Sequence, residues 1–379
     1  MKLPPLSLYI HIPWCVQKCP YCDFNSHALK QPLAEQAYVH ALLDDLTCDL
    51  PLAAGRPLQS IFIGGGTPSL FSPEAIAELL TGVAQRLSFA DDIEITMEAN
   101  PGTVEAGRFR GFAAAGVNRI SIGVQSFAPH QLQKLGRIHD PAQAIAAAHQ
   151  AAQASLRSFN LDLMHGLPDQ TLEQALDDLR QAIALNPPHL SWYQLTIEPN
   201  TAFGARPPVL PEDDLLWEIQ EQGHQLLLAA GYQQYEISAY AKPGYQCQHN
   251  LNYWRFGDYL GIGCGAHGKV TTHDGHIRRT VKLKHTKGYL DPARTYLDQL
   301  WDVSAEELPF EFFMNRLRLF EAVPIADFSR LTGLSPQVLH LPLQQACAKG
   351  LLQSDDTYWH VTPLGHRYLN QLLTLFLEA

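Results

Sequence analysis

The chain has 379 residues, 46% of them hydrophobic and 17% charged, enough apolar material for one large domain plus an appended one, which excludes disordered, fibrous and collagen-like classes. Its 27 Lys and Arg stand against 38 Asp and Glu, and a net charge of −11 lacks the basic footprint that a phosphate backbone demands, so no nucleic-acid partner is expected. No apolar run approaches the roughly 20 residues that cross a bilayer, and the opening stretch has no signal-peptide pattern, so a soluble, cytoplasmic protein is expected.

Six short β-branched or aromatic runs, at residues 6–12, 60–63, 93–98, 119–124, 159–164 and 190–196, predict strands. Amphipathic stretches at 33–50, 73–87, 104–115, 142–154, 172–185 and 213–230 predict the helices that follow them. Helix starts are marked by Ser72 before Pro73, Asp140 before Pro141, and Thr171 with Glu173. Alternation of this kind needs crossover connections and hence a mostly parallel α/β sheet, open and doubly wound or curled into a barrel or part of one. Both architectures build their sites at the carboxyl ends of strands. The unusual residues gather there: Gly64-Gly65-Gly66-Thr67-Pro68, Glu98-Ala99-Asn100-Pro101, Gln125-Ser126-Phe127, Asp162 and Glu198-Pro199.

Residues 235–287 are rich in Gly, His and aromatics, which predicts loops and a few extra strands over that face. From residue 305 helices dominate. Helices at 325–331 and 336–349, the turn Thr332-Gly333-Leu334 and a hairpin through 351–361 predict a winged-helix-like module. Residues 303–379 carry five Lys or Arg against eight Asp or Glu, which argues against DNA binding. The expected divisions are 1–235, 236–302 and 303–379.

Seven cysteines, an odd number in a long chain, speak against a disulfide framework. Cys15, Cys19 and Cys22 crowd into eight positions after the first strand, where three thiolates can converge on one cluster face. Structural zinc would need a fourth ligand from His11, His27 or farther away. Covalent haem attachment needs a histidine where Asp23 stands. Cys19-Pro20-Tyr21-Cys22 has the form of a glutaredoxin-like dithiol, yet Cys15 adds a third thiol and a long α/β repeat follows. A [4Fe–4S] cube held by three cysteines leaves one iron open, and the amino and carboxylate groups of S-adenosylmethionine (SAM) can ligate it.

The Cys-x3-Cys-x2-Cys spacing joins Tyr9-Ile10-His11-Ile12-Pro13-Trp14, the glycine run, Glu98-Ala99-Asn100-Pro101, Gly123-Val124-Gln125-Ser126-Phe127 and Asp162-Leu163-Met164-His165-Gly166-Leu167-Pro168. In these motifs, which follow in order over nearly the whole chain, it resembles the radical-SAM superfamily, in the branch of the oxygen-independent coproporphyrinogen III oxidases and the haem chaperones. The resemblance implies a partial (β/α)6 TIM-type barrel followed by a smaller, mainly helical, winged-helix-like domain. It implies a [4Fe–4S] cluster on Cys15, Cys19 and Cys22, with SAM held by Tyr9, Tyr21, Gly65, Gly66, Thr67, Glu98, Gln125, Arg137 and Asp162. Arg137 suits a carboxylate, while Asp162 and Gln125 suit ribose hydroxyls. An Asp in an otherwise apolar run is costly if buried alone, which favours a ligand. The chemistry implied is electron transfer from the cluster into SAM, giving methionine and a 5′-deoxyadenosyl radical.

Two departures separate the chain from the oxidase pattern: Tyr9 stands near the start, without the oxidases' N-terminal extension, and Phe24 replaces a cysteine two places after the triplet. His249-Asn250-Leu251-Asn252-Tyr253-Trp254 matches the haem-chaperone branch, and a histidine beside aromatics suits haem iron. His249, with Cys247 as second choice, is therefore the expected haem ligand. Coproporphyrinogen oxidation is the alternative activity. The partners implied are haem-accepting proteins such as respiratory-chain enzymes and an electron donor to the cluster, with at most peripheral membrane contact and a homodimer as the assembly to test.

Overall fold

A computed structural model describes residues 3–102 and 106–377. Six parallel strands pair in chain order: β1 (Leu6–Ile12), β2 (Leu58–Gly65), β3 (Phe89–Ala99), β4 (Arg119–Gln125), β5 (Ser158–His165) and β6 (His189–Gln194). Six of the seven residues of β1 are buried, as a strand covered on both faces requires. The covering helices are α1 (Glu35–Ala53), α2 (Pro73–Ala84), α3 (Phe109–Ala114), α4 (Pro129–Lys134), α5 (Pro141–Ala152), α6 (Leu172–Ala184) and α7 (Asp213–Ala229). The predicted start of a helix at Val104 lies outside the described residues, and the helix there is Phe109–Ala114.

Local chemistry sets the helix starts. The Ser72 hydroxyl accepts from the Ala75 amide, and Asp140 forms a reciprocal capping box with Gln143. At Thr171 the reciprocal partner is Gln174 and not Glu173, because the third helical position is the one whose side chain reaches back to the cap.

Tyr9, Phe62, Glu98, Ser121, Asp162 and Ser191, one from each parallel strand, all line a single cavity of about 800 Å³. In a flat sheet with strands about 4.8 Å apart, the outer two would be separated by about 24 Å. The sheet therefore curls into a partial (β/α)6 barrel. It does not close, since β1 pairs in parallel with β9 (Asp258–Ile262) instead of with β6. Beyond β6 lie β8 (Ala239–Ala241) and β7 (Gln233–Glu236); beyond β9 lie β10 (His267–Thr271), β11 (Ile277–Lys282) and β12 (Leu297–Asp302). The stretch expected to hold loops and a few extra strands thus adds its strands to both edges of the sheet, with α8 (Gln248–Trp254) between.

A second core around Phe312, Phe313, Phe328, Trp359 and Phe376 organises the remainder. It holds α9 (Leu308–Arg316), α10 (Ile325–Thr332), α11 (His340–Ala348), and a three-stranded sheet of β13 (Val323–Pro324), β15 (Tyr358–Val361) and β14 (Leu352–Ser354). Gly333, at φ +74°, stops α10, and the segment expected to open the next helix, Pro336–Leu339, is a 3-10 turn. Among the described residues, no helix is long and apolar enough to cross a membrane.

Candidate functional site at the mouth of the barrel

Cys15 ends a two-residue strand, Trp14–Cys15, that pairs with His27–Ala28 and so closes the loop bearing all three cysteines. The loop is docked from outside: Phe203 N–H donates to the Pro20 carbonyl at 2.9 Å and Gln17 Nε2 to Gly136 O at 3.3 Å. Cys15, Cys19 and Cys22 are free thiols of intermediate exposure. Burial pushes Cys15 and Cys22 upward, while the Thr67 and Ser26 hydroxyls pull Cys15 back and Ser26 does the same for Cys22. Cys15 also feels the fields of Cys22 and Cys19, and Cys22 that of Cys19. Arg137 Nη1 lies 3.6 Å from Cys19 Sγ, and its Nη2 donates to Asn100 Oδ1 at 2.8 Å and Gly123 O at 2.7 Å.

Among the described residues, no three His, Cys, Asp or Glu side chains are arranged to hold a metal ion. A cubane makes a different demand, because each thiolate binds its own iron and the three need to share a face and not a point. Three neighbouring thiols with a cation and two hydroxyls at their sulfurs fit that donor chemistry.

The glycine run at the end of β2 is locked to this loop. Gly66 N–H donates to Ile12 O and Thr67 N–H to Trp14 O, both at 2.7 Å. A Cβ on Gly66 would sit 2.5 Å from the Trp14 carbonyl oxygen, so only glycine allows the approach. Gly65, at φ +111°, donates to Glu98 Oε2 at 3.0 Å. All three amides of Gly65, Gly66 and Thr67 are thus engaged by protein acceptors, and carbonyls are what this run can offer an ammonium group.

Below the run lie two half-buried carboxyls on the cavity wall. Glu98 is pushed up to about 8, chiefly by burial and then by the field of Asp162. Asp162 is raised by burial as well, against its hydrogen bonds from Ser121 Oγ at 2.9 Å and Asn160 Nδ2 at 2.8 Å. Those two partners offset part of the cost of burying Asp162. Tyr9 donates or accepts at His11 Nδ1, 2.9 Å away, and His11 in turn meets the Asn25 carbonyl.

Of the nine residues expected around SAM, Tyr9, Gly65, Glu98 and Asp162 line the cavity. Gly66 and Thr67 join it to the cysteine loop. Tyr21, Gln125 and Arg137 form an adjoining cluster: Tyr193 O–H donates to Gln125 Oε1 at 2.8 Å, and Tyr21 is raised by burial and lowered by Arg137. Gln125 has φ +69°, a left-handed conformation unusual for a side chain of its size.

His249 lines the same cavity near its floor, with Nδ1 3.0 Å from Ser60 Oγ and its ring against Phe62. Burial pushes it down to about 3, so it is a neutral imidazole. Cys247 is fully buried, is not among the cavity-lining residues, and donates its thiol to Glu94 Oε1 at 3.4 Å. Sequence reasoning missed the polar floor: Arg119, Ser121, Asn160, His189 and Ser191 alternate along β4, β5 and β6 and share the cavity-facing side. Their period of two within apolar strands was the available signal.

A Radical SAM superfamily model matches residues 9–181, and a HemN C-terminal domain model matches residues 303–368. The chain is 66% identical over 377 residues to the Heme chaperone HemW of Escherichia coli (strain K12), covering 100% of this chain and 99% of that one. It is 61% identical over 380 residues to the Heme chaperone HemW of Haemophilus influenzae, covering 99% of each. Among solved structures it resembles the coproporphyrinogen III oxidase HemN of Escherichia coli, a radical SAM enzyme, with a TM-score of 0.84 at 24% identity over 99% of this chain and 90% of that one. The partial barrel with three cysteines at its mouth, together with these matches, defines a radical SAM protein with a HemN-type C-terminal domain. Within that class, the chain belongs to the HemW family.

Proposed function

We propose that the chain is a haem chaperone, which binds haem and passes it to acceptor proteins, and which carries a [4Fe–4S] cluster on Cys15, Cys19 and Cys22 with an exchangeable SAM. The observation that carries this reading is end-to-end similarity to Heme chaperone HemW, combined with a cysteine loop that is hydrogen-bonded to the glycine run over one cavity. Acceptors such as respiratory-chain enzymes, an electron donor to the cluster, and a homodimer belong to the same proposal.

When bound, the cluster and SAM supply one-electron chemistry at the sulfonium. The chain's own residues orient and enclose. Carbonyls of the Gly65–Thr67 run receive the SAM amino group, Arg137 faces the carboxylate, and Asp162 and Gln125 take ribose hydroxyls, with Tyr9, Tyr21 and Glu98 completing the walls. His249, neutral and paired at Nδ1 with Ser60, would offer haem iron the lone pair of Nε2 in the tautomer whose proton is on Nδ1. Cys247 would first have to break from Glu94 and leave the core.

The test is anaerobic reconstitution followed by two assays. We expect about four irons with cubane spectra, lost in Cys19→Ser, and retention of added haem without conversion of coproporphyrinogen III in the presence of SAM and reductant. Failure to retain haem, with production of protoporphyrinogen instead, would replace the chaperone reading by an oxidase one.

A further inference from the structure

Arg119, the first residue of β4, is 3% exposed and lines the barrel cavity. Among the described residues its guanidinium has no hydrogen-bond partner, and its Nε is buried and unsatisfied. Arg137 and Arg316 also leave Nε unpartnered, but their terminal nitrogens are paired, Arg137 with Asn100 and Gly123 and Arg316 with Glu321. A buried Nε–H without an acceptor carries a desolvation cost, and the terminal nitrogens, on the cavity side, have no protein acceptor either.

The surrounding floor is paired without it. Glu94 accepts from the His249 amide at 3.1 Å and from Cys247. Asp162 is taken by Ser121 and Asn160; His189 bridges Asn160 Oδ1 at 2.6 Å and the Tyr235 hydroxyl at 2.7 Å. Burial works against the charge of Arg119 and the fields of Cys247, Glu94, Tyr235 and Asp162 favour it, yet neither carboxylate forms an ion pair with it within 4.0 Å. A planar cation with this fork of free donors, aimed into a chamber, is complementary to a carboxylate.

The height of Arg119 in the barrel selects among carboxylates. Gly123, whose carbonyl holds Arg137 beside Cys19, is four residues farther along β4, about 13 Å above. A carboxylate that ligates a cluster at the cysteine loop sits at that upper level. An anion at Arg119 therefore comes from another molecule or another end. His249 faces the same chamber and feels the charge of Arg119, and Tyr9, Phe62, Tyr253 and Tyr259 give the chamber aromatic walls.

We propose that Arg119 anchors a propionate carboxylate of a porphyrin lodged in the barrel, with its ring against those aromatics. The proposal rests on the haem reading above and names the group that the site recognises.

The experiment titrates cluster-loaded protein with haem and with haem dimethyl ester, in which both propionates are capped, followed by absorbance. Wild-type protein should prefer the free acid by tenfold or more, and Arg119→Met should lose that preference while binding the ester as wild type does. SAM affinity should stay within twofold. The wild-type comparison needs no variant, so it stands even if Arg119→Met folds poorly. Equal binding of acid and ester by wild type, or a preference that survives in Arg119→Met, would overturn the anchor while leaving haem binding intact. A fall in SAM affinity with haem unaffected would assign the carboxylate to SAM and overturn it too. Binding of neither porphyrin would remove the haem reading itself.

Discussion

Glu98 feels the field of Asp162 across the barrel cavity, and its proton carries a measurable consequence. A Glu raised from 4.5 to about 8 binds a proton on folding. Its contribution to stability is present below about 4.5 and is lost as pH rises through about 8. Ligand-free protein should therefore weaken across that window, and Glu98→Gln should flatten this part of the slope in urea melts at several pH values. An unchanged slope would mean that Glu98 titrates normally. Asp162 has a different test, because its role in the proposed function is a contact with SAM. Asp162→Ala should weaken SAM binding about tenfold to a hundredfold, roughly 1.5–3 kcal/mol, with iron content unchanged. If a SAM titration does not move, Asp162 serves only to hold Ser121 and Asn160.

At the scale of elements, the decisive junction is between the end of β2 and the cysteine loop after β1. Two backbone hydrogen bonds and a missing Cβ bring these turns together. Gly66→Ala would force the methyl group into the Trp14 carbonyl, and the turns must part. Overpacking of this sort costs about 1–3 kcal/mol. We expect a lower unfolding midpoint together with poorer iron retention after reconstitution. A variant with unchanged midpoint and full iron would show that the two turns can separate without consequence for the thiols.

At the scale of the molecule, a buried ion network ties the antiparallel edge to the barrel. Lys282 of β11 donates to Asp45 at 2.5 Å and to Asp49 at 2.8 Å, both on α1, and Tyr289 completes the shell of Asp45. Asp45 and Lys282 are each no more than 1% exposed at the side chain. Removing the cation strands two carboxylates in the interior, so Lys282→Met should cost about 3–5 kcal/mol in denaturant unfolding. A loss below about 1 kcal/mol would mean that the two acids carry protons when alone.

Much of this is legible in the sequence. The strand and helix alternation follows from local periodicity, and the caps at Ser72 and Asp140 follow from side chains that reach only their own helix's first turn. The cysteine spacing and the glycine run are contiguous motifs, so the sequence alone placed both at strand ends. Periodicity could not choose between an open and a curled sheet. That choice depends on side chains from six separated strands meeting in one cavity, and on β1 finding β9 about 250 residues later. The period of two marks the floor residues but cannot say which of them are paired. Arg119 reads as an ordinary charged residue at the start of a strand, and Asp162 as an isolated buried acid. Only the tertiary structure assigns partners to Asp162 and leaves Arg119 without them, because hydrogen-bond satisfaction in a barrel interior is decided across strands and not along the chain.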